Sequence, residues 1–204
     1  MTAQIDRAAA VRAALRALVA ERGFHGASMS AVARQAGVAT GTAYTHYDSK
    51  DALVLAAYAE TKAQLADAVI ETVDQHATVA ERFRAIWLGI YHDLAARPEH
   101  ARFLVQFDDS PYRTRAHDAI GEDDPLLALA SAPDFIAELL PLPLDVLYEL
   151  GIATAVRLAA ARVELRDEQL DLVVAACWRA ITKPQSQPSS KRKPPSGRSE
   201  ERPA

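Results

Sequence analysis

Side chains able to form hydrogen bonds are concentrated between Ser28 and Lys50, in the stretch SMSAVARQAGVATGTAYTHYDSK. The groups include hydroxyls, one imidazole, one guanidinium and one ammonium. No nucleophile is paired with a base, so recognition is favoured over catalysis. Hydroxyls, an ammonium and the free N–H groups of a helix N-terminus are good donors to phosphate oxygens. Threonine and histidine side chains can reach base edges. The stretch therefore predicts binding to a nucleic acid.

The local sequence predicts two short helices that position these groups. Ser28 can cap the first helix. Gly37 stands where that helix would end in the left-handed conformation, which glycine adopts without steric cost. Residues 40–46 form a second helix of about two turns, and Ser49 caps the next one. This is the layout of a helix-turn-helix, whose second helix enters the major groove of DNA.

The run from Ala36 to Leu53, AGVATGTAYTHYDSKDAL, resembles the signature of the TetR/AcrR (tetracycline-repressor-like) transcriptional regulators. The pattern is a Gly-Val turn, a Gly-Thr-x-Tyr-x-His-aromatic recognition helix, and then Ser-Lys-acid-x-Leu. Ala39 stands where the family usually has a capping serine, so we expect Thr40 to take over the cap. The small Ala43 is expected to leave this core less fully packed. Beyond the first quarter of the chain, the resemblance extends only to helical layout and length.

The residue types and the resemblance indicate the same DNA contacts. Thr42, Tyr44 and Lys50 suit phosphates, and Gly41 lets the backbone approach the duplex. Thr40, Thr45 and His46 can reach base edges, and Ser30 with Arg34 could assist from the preceding helix. The expected DNA-binding residues are Ser28, Ser30, Thr40, Gly41, Thr42, Tyr44, Thr45, His46 and Lys50.

Composition excludes several other classes of site. The single cysteine rules out an intrachain disulfide and a cysteine-based zinc cluster, and the six histidines lack metal-site spacing. We therefore expect no metal and no cofactor. The chain has no signal-peptide core and no apolar run near the ~18 residues of a membrane span. A cytoplasmic protein that does not enter a membrane is expected.

Charge is distributed unevenly along the chain, whose net charge is -4. Residues 1–56 hold six Lys and Arg against four acids, and residues 183–204 hold six against two. The middle holds eleven against twenty-one. An acidic middle between two basic ends suits a protein that presents only its N-terminal part to a polyanion.

Helical periodicity extends along most of the chain, and no stretch alternates as a strand would, so we predict an all-α fold of about nine helices. A three-helix helix-turn-helix DNA-binding domain at 1–48, here called the head, precedes a helical ligand-binding and dimerisation domain at 49–182, here called the body. Residues 183–204, rich in Pro and Ser, are predicted to be a disordered basic tail. The expected helices cover 3–22, 28–36, 40–46, 49–74, 76–97, 98–107, short pieces in 112–143, 143–163 and 167–182, with Asp167 as the last N-cap.

The last two of these helices are apolar on more than one side. One side can pack on the body and the other on a second copy of the chain, which predicts a homodimer joined by a four-helix bundle. Cys177 lies in an apolar row and is expected to serve packing. The expected interface residues are Leu147, Thr154, Leu158, Val174, Cys177 and Ile181.

A few polar groups interrupt the apolar helices of the body. Arg157 has two interpretations: a structural ion pair with Asp108, Glu149 or a partner subunit, or an anchor for an anionic ligand. The aromatic residues nearby can line a pocket or belong to the core. Asp108 and Asp109 are expected to form a solvated turn. The candidate ligand-binding residues are Trp87, Tyr91, Phe103, Gln106, Tyr148 and Arg157.

These observations predict a sequence-specific DNA-binding transcriptional regulator, and the resemblance implies a repressor released from its operator by a small-molecule effector. The expected partners are double-stranded operator DNA, an effector and a second copy of the chain. The alternative is a helical-bundle enzyme or small-molecule binding protein whose N-terminal hairpin is structural only. No nucleophile–base or metal constellation supports the enzyme.

Overall fold

The computed structural model describes residues 6–115 and 124–184, and these residues are all-α, as predicted. No strand occurs in the described ranges, where one isolated antiparallel bridge pairs Leu139 with Thr182. None of the helices described is long and apolar enough to cross a membrane. Eleven α-helices have both ends in these ranges: α1 Arg7–Arg22, α2 Met29–Gln35, α3 Thr40–His46, α4 Lys50–Ile70, α5 Val79–Ala96, α6 Pro98–Asp108, α7 Pro125–Ala130, α8 Pro133–Glu138, α9 Leu144–Leu150, α10 Ala153–Ala160 and α11 Asp167–Ile181.

The head is a small three-helix core. Asp6 caps α1 by accepting hydrogen bonds from the amides of Ala8 and Ala9 (3.0 and 3.2 Å), so this helix begins four residues later than predicted; residues 1–5 lie outside the described ranges. The side chains of Leu15, Val32 and Ala43 are completely buried between α1, α2 and α3. The predicted helix-turn-helix is therefore present in the fold.

The ring of Phe24 contacts the body. It lies in a short 3-10 turn after α1, with ring centroids 5.0 Å from Tyr112 and 6.4 Å from Phe103 of α6. A domain of about 50 residues has little core of its own, and packing against the body supplies more.

The long helix α4 joins the head to the body, because it packs against both α1 and α5. Glu60 on α4 forms ion pairs with two arginines of α1, Arg12 at 2.7 Å and Arg16. The helix ends at Ile70 rather than near Asp74. α5 begins at Val79 rather than His76, since Thr78 and Glu81 form a reciprocal capping box that starts it.

The predicted helix 143–163 is divided in two at Gly151. Its φ of -108° and ψ of -89° are not helical, and glycine is a weak helix former. The Gly151 carbonyl, released from the helix ladder, accepts a hydrogen bond from the buried Trp87 indole at 3.3 Å. The second half, α10, packs against α5 and α6 in the middle of the body.

The C-terminal boundaries also differ from the prediction. Asp167 is the first helical residue of α11, while Arg166 is the N-cap and its amide donates to the Gln169 side chain at 3.0 Å. Lys183 was assigned to the tail, yet its amide donates to the Glu138 carbonyl at 2.9 Å and its ammonium to the Ala137 carbonyl at 2.6 Å. The rest of the predicted tail, from residue 185, lies outside the described ranges.

Candidate DNA interface and internal cavity

The turn between α2 and α3 has the predicted geometry. Ser28 caps α2, accepting from the Ala31 amide at 3.2 Å. Gly37 has a φ of +69°. Its amide donates to the Arg34 carbonyl (3.2 Å) and the Val38 amide donates to the Ala33 carbonyl (3.0 Å), which together make a Schellman ending. This ending aligns α3 against α2.

Helix α3 is held to the head by one small side chain. Ala43 is its only buried residue, and Tyr44 is 50% exposed. Because the anchor is small, the helix lies close to the head with most of its surface outside. The other exposed members of the predicted set on this helix are Thr40, Gly41, Thr45 and His46, and Thr42 is half-buried.

The cap of α3 differs from the prediction. Ala39 is the N-cap and no side chain accepts from the first turn, so Thr40 does not replace the missing serine. The hydroxyl of Thr40 is therefore not committed to capping. Thr45 donates to the Gly41 carbonyl at 3.0 Å, which leaves its oxygen able to accept. The hydroxyls of Ser28 and Ser30 lie 3.1 Å apart on the exposed start of α2.

Lys50 lies in the first turn of α4, after the N-cap Ser49, which accepts from the Ala52 amide at 3.1 Å. Its ammonium donates to the Phe24 carbonyl. A lysine ammonium has three donors, so this bond leaves capacity for a phosphate. The bond also couples the 3-10 turn to α4, a structural role that the sequence did not suggest.

Asp51, the next residue, connects this end of α4 to the body. Its carboxylate accepts from the Tyr112 hydroxyl at 2.8 Å and from Arg115 at 2.5 Å. The Tyr112 hydrogen bond and then Arg115 hold the pKa of Asp51 below its usual value.

The body contains a cavity of about 400 Å³ between helices α4 to α11. This volume lies within the range of small-molecule sites. Its wall is largely apolar and includes Leu65, Phe83, Ile86, Ile90, Leu104, Leu126, Leu127, Phe135, Leu139, Leu147, Ile152, Val156 and Ile181. Polar groups line the remainder: Tyr58, Lys62, Asp108, Arg113, Thr114, Asp124, Asp145 and Tyr148.

Asp108 is the central polar group of the cavity. It is the last residue of α6, half-buried, and accepts a hydrogen bond from the Tyr148 hydroxyl at 2.8 Å. Burial raises the pKa of Asp108, partly offset by this hydrogen bond. Burial, then the negative charge of Asp108, also raises the pKa of the Tyr58 phenol. The solvated turn predicted at Asp108 is therefore wrong, whereas Asp109 is exposed.

Most of the predicted ligand-binding residues lie elsewhere; only Tyr148 lines the cavity. Trp87 and Phe103 are fully buried in the core, and Tyr91 donates to the Val163 carbonyl at 2.8 Å. Gln106 is exposed. These residues do not line the cavity, because aromatics at helical spacing pack between helices in this core. The acids and tyrosines around Asp108 gave no recognisable pattern in the sequence.

Arg157, the remaining ligand candidate, is exposed and lies near Asp109 (3.5 Å) and Glu149 (3.6 Å). This geometry matches the structural ion pair with Glu149 rather than an anchor for an anion.

The predicted dimer residues belong mainly to the protomer's own core. Leu147, Val174, Cys177 and Ile181 are buried within the single chain, so they cannot form an outer face. Thr154 and Leu158 are half-buried. The large apolar side chains exposed on α9 and α11 are instead Leu144 (45%), Val146 (40%), Leu150 (42%) and Leu172 (71%). These two helices pack on one another.

The described residues contain no group of three or more His, Cys, Asp or Glu side chains that could hold a metal ion.

Two family models match the chain. Residues 11–57 match the model described as bacterial regulatory proteins, tetR family. Residues 78–182, slightly more than half of the chain, match the tetracyclin repressor-like C-terminal domain.

Individual proteins described as regulators are also similar to the chain. An uncharacterised HTH-type transcriptional regulator of Haemophilus influenzae is 29% identical over 188 residues, covering 89% of this chain and 98% of its own. The crystal structure of a TetR-family transcriptional regulator from the same species superposes with a TM-score of 0.69 at 26% identity, covering 90% of this chain and 100% of its own. The fatty acid metabolism regulator protein of Bacillus subtilis is 28% identical over 91 residues, which is 45% of this chain and 46% of its own.

Proposed function

The chain belongs to the TetR family of bacterial regulatory proteins and is a DNA-binding transcriptional regulator, and we propose that it is a homodimeric repressor released from its operator by an effector in the body. The observation that carries the proposal is the exposure of α3, which buries only Ala43 and presents polar side chains outward. Its relatives described above are transcriptional regulators, a class that normally has no catalytic activity, so the enzyme alternative is not favoured.

In this proposal α3 enters the major groove. Thr40, Thr45 and His46 face base edges, and Gly41 permits close approach of the backbone. Thr42, Tyr44 and Lys50 contact phosphates, together with the free amides at the N-terminus of α4. Ser28 and Ser30 contact the backbone from α2.

The proposed dimer surface is formed by α9 and α11, the two neighbouring helices that leave Val146, Leu150 and Leu172 exposed. Two such pairs of helices would make a four-helix bundle. A two-fold dimer presents two α3 helices to half-sites about one helical turn of DNA apart, roughly 34–36 Å. The head is proposed to act as the DNA-binding unit and residues 49–182 as the effector and dimer unit.

The proposed switch runs through residues 112–115. Arg113 and Thr114 line the cavity, while Tyr112 and Arg115 bind Asp51 in the first turn of α4. A ligand that displaces this segment would weaken its contacts with Asp51 and so alter the position of the DNA-binding end of α4. The spacing of the two heads in the dimer would then change. By linkage, the ligand weakens DNA binding by the same factor that DNA weakens ligand binding.

A selection experiment tests the DNA-binding role. The purified chain is mixed with random duplex DNA, bound fragments are sequenced, and a footprint is measured on the enriched site. We expect an enriched palindrome with two half-sites one helical turn apart. His46→Ala should weaken binding to this site, and His76→Ala, which removes an exposed histidine beyond the far end of α4, should not. Failure to enrich any sequence would contradict the proposal.

A further inference from the structure

Every cation that lines the cavity in the described ranges is already paired with a carboxylate. Lys62 lies 2.9 Å from Asp124. Arg113 lies 3.0 Å from Glu149 and 3.3 Å from Asp145. An anionic ligand would have to break one of these pairs or remain unpaired in a largely apolar space, which is costly.

Asp108, in contrast, has capacity for a positive partner. Within the described residues its carboxylate accepts one hydrogen bond, from Tyr148, and an ionised carboxylate can accept several. Its position as the last residue of α6 also places it at the negative end of an eleven-residue helix. The dipole of that helix repels a second anion and attracts a cation.

Tyr58 completes the polar end of the cavity. Its ring is stacked on Phe107, with centroids 3.9 Å apart and planes at 7°. No hydrogen bond within the described residues involves its hydroxyl, which can therefore accept from a ligand. A phenol and a carboxylate without a free cation suit the head group of an organic cation.

We infer that the cavity binds a lipophilic organic cation, with its ammonium group against Asp108 and its apolar part among Leu65, Phe83 and Leu104. The inference rests on the proposed role of the cavity as the effector site. It deepens that role by naming the class of ligand. The volume of about 400 Å³ and the mostly apolar wall indicate that the ligand's apolar part is a hydrocarbon of moderate size.

Three probes of ten carbon atoms each test the charge preference: decylammonium, decanol and decanoate. Each is titrated calorimetrically below its micellar concentration into the full-length protein at neutral pH. Decylammonium should bind at least about tenfold more tightly than decanoate. Its ammonium can donate a charge-assisted hydrogen bond to the Asp108 carboxylate, whereas Asp108 would repel the carboxylate of decanoate.

Asp108→Asn should reduce the affinity for decylammonium by about tenfold or more and leave that for decanol within about twofold. The amide oxygen can still accept from Tyr148, so this variant should fold, as its melting temperature will show. Asp109→Asn is the matched control, since it removes the neighbouring exposed carboxylate outside the cavity lining and should leave all three affinities unchanged.

Decanoate binding as tightly as decylammonium, an unchanged decylammonium affinity in Asp108→Asn, or no binding of decylammonium would each overturn the inference. The proposed regulator role is measured separately, as DNA binding without a probe. If decanoate bound tightly and released DNA, the regulator proposal would stand and the inference would fall. If no DNA sequence were enriched, the regulator proposal would fall while the calorimetric preference remained measurable.

Discussion

The Tyr112 hydroxyl donates a 2.8 Å hydrogen bond to Asp51, which joins the segment after α6 to the first turn of α4. Asp51 directly follows Lys50 in the sequence, and Tyr112 directly precedes Arg113, which lines the cavity. The Tyr112 ring also packs against Phe24 at 5.0 Å. The segment that lines the cavity at Arg113 is thus joined to the first turn of α4 through its neighbour Tyr112.

Tyr112→Phe should lower the free energy of unfolding by about 0.5–1.5 kcal/mol, because it removes this hydrogen bond and retains the ring. Thermal unfolding with and without operator DNA measures the effect. Tyr44→Phe is the matched control. The Tyr44 side chain is exposed and its hydroxyl makes no hydrogen bond to the described residues, so stability should be unchanged while binding to all DNA sequences weakens. Equal stability of Tyr112→Phe and the wild type would show that the bond does not contribute.

Lys50→Ala distinguishes a phosphate contact from a purely structural one. If Lys50 binds a phosphate, the slope of log affinity against log salt should fall by about one unit. Arg84→Ala, which removes an exposed cation of the body, should leave the slope unchanged. A loss of stability with an unaltered slope would assign Lys50 only to its hydrogen bond with the Phe24 carbonyl.

Gly41→Ala should affect stability and DNA binding in opposite directions. A methyl group at this position meets nothing within 4 Å, and replacing a helical glycine should raise stability by up to about 0.5–1 kcal/mol. The same methyl would stand between α3 and the duplex and weaken binding. Gly37→Ala should lower stability instead, because its φ of +69° disfavours a side chain. Improved DNA binding by Gly41→Ala would contradict the proposed approach.

Leu172→Glu should produce folded monomers and abolish operator binding. Leu172 is 71% exposed in the single chain. A charge at this position should therefore leave the protomer folded and destabilise only a dimer that buries it. Val174→Glu, two residues away and buried, should unfold the protomer. Light scattering gives the mass and circular dichroism the helix content; a Leu172→Glu protein that remains dimeric would exclude this surface.

His100 should make the protein sensitive to acid. Burial, then Arg16 and Arg97, lowers the pKa of His100 to about 4, against the weaker opposing effect of Asp93 and Glu60. Because the unfolded chain binds the proton first, stability is full above about pH 6.5 and falls as the pH decreases toward 4. The drop in melting temperature between about pH 7 and pH 5 should be smaller in His100→Gln than in the wild type or in His76→Gln.

The sequence alone determined the parts of this protein that rest on local chemistry. The Schellman ending of α2 at Gly37 and the N-caps of α2 and α4 at Ser28 and Ser49 depend on residues a few positions apart. These neighbouring signals delimit α3, whose bounds were predicted correctly. The all-α class followed in the same way from helical periodicity. The capping box of Thr78 and Glu81 was present in the sequence and would have corrected the start of α5.

The tertiary structure decided which surface each helix buries. α11 is apolar on several sides, and periodicity does not tell which row faces the protomer's own core. Val174 and Ile181 therefore proved to be buried, while Leu172 is exposed. The cavity likewise depends on contacts between residues far apart in the sequence. Asp108 accepts a hydrogen bond from Tyr148, which lies forty residues further along the chain. Long-range packing chooses among faces that local sequence leaves equivalent, because burial is set by the neighbouring helices.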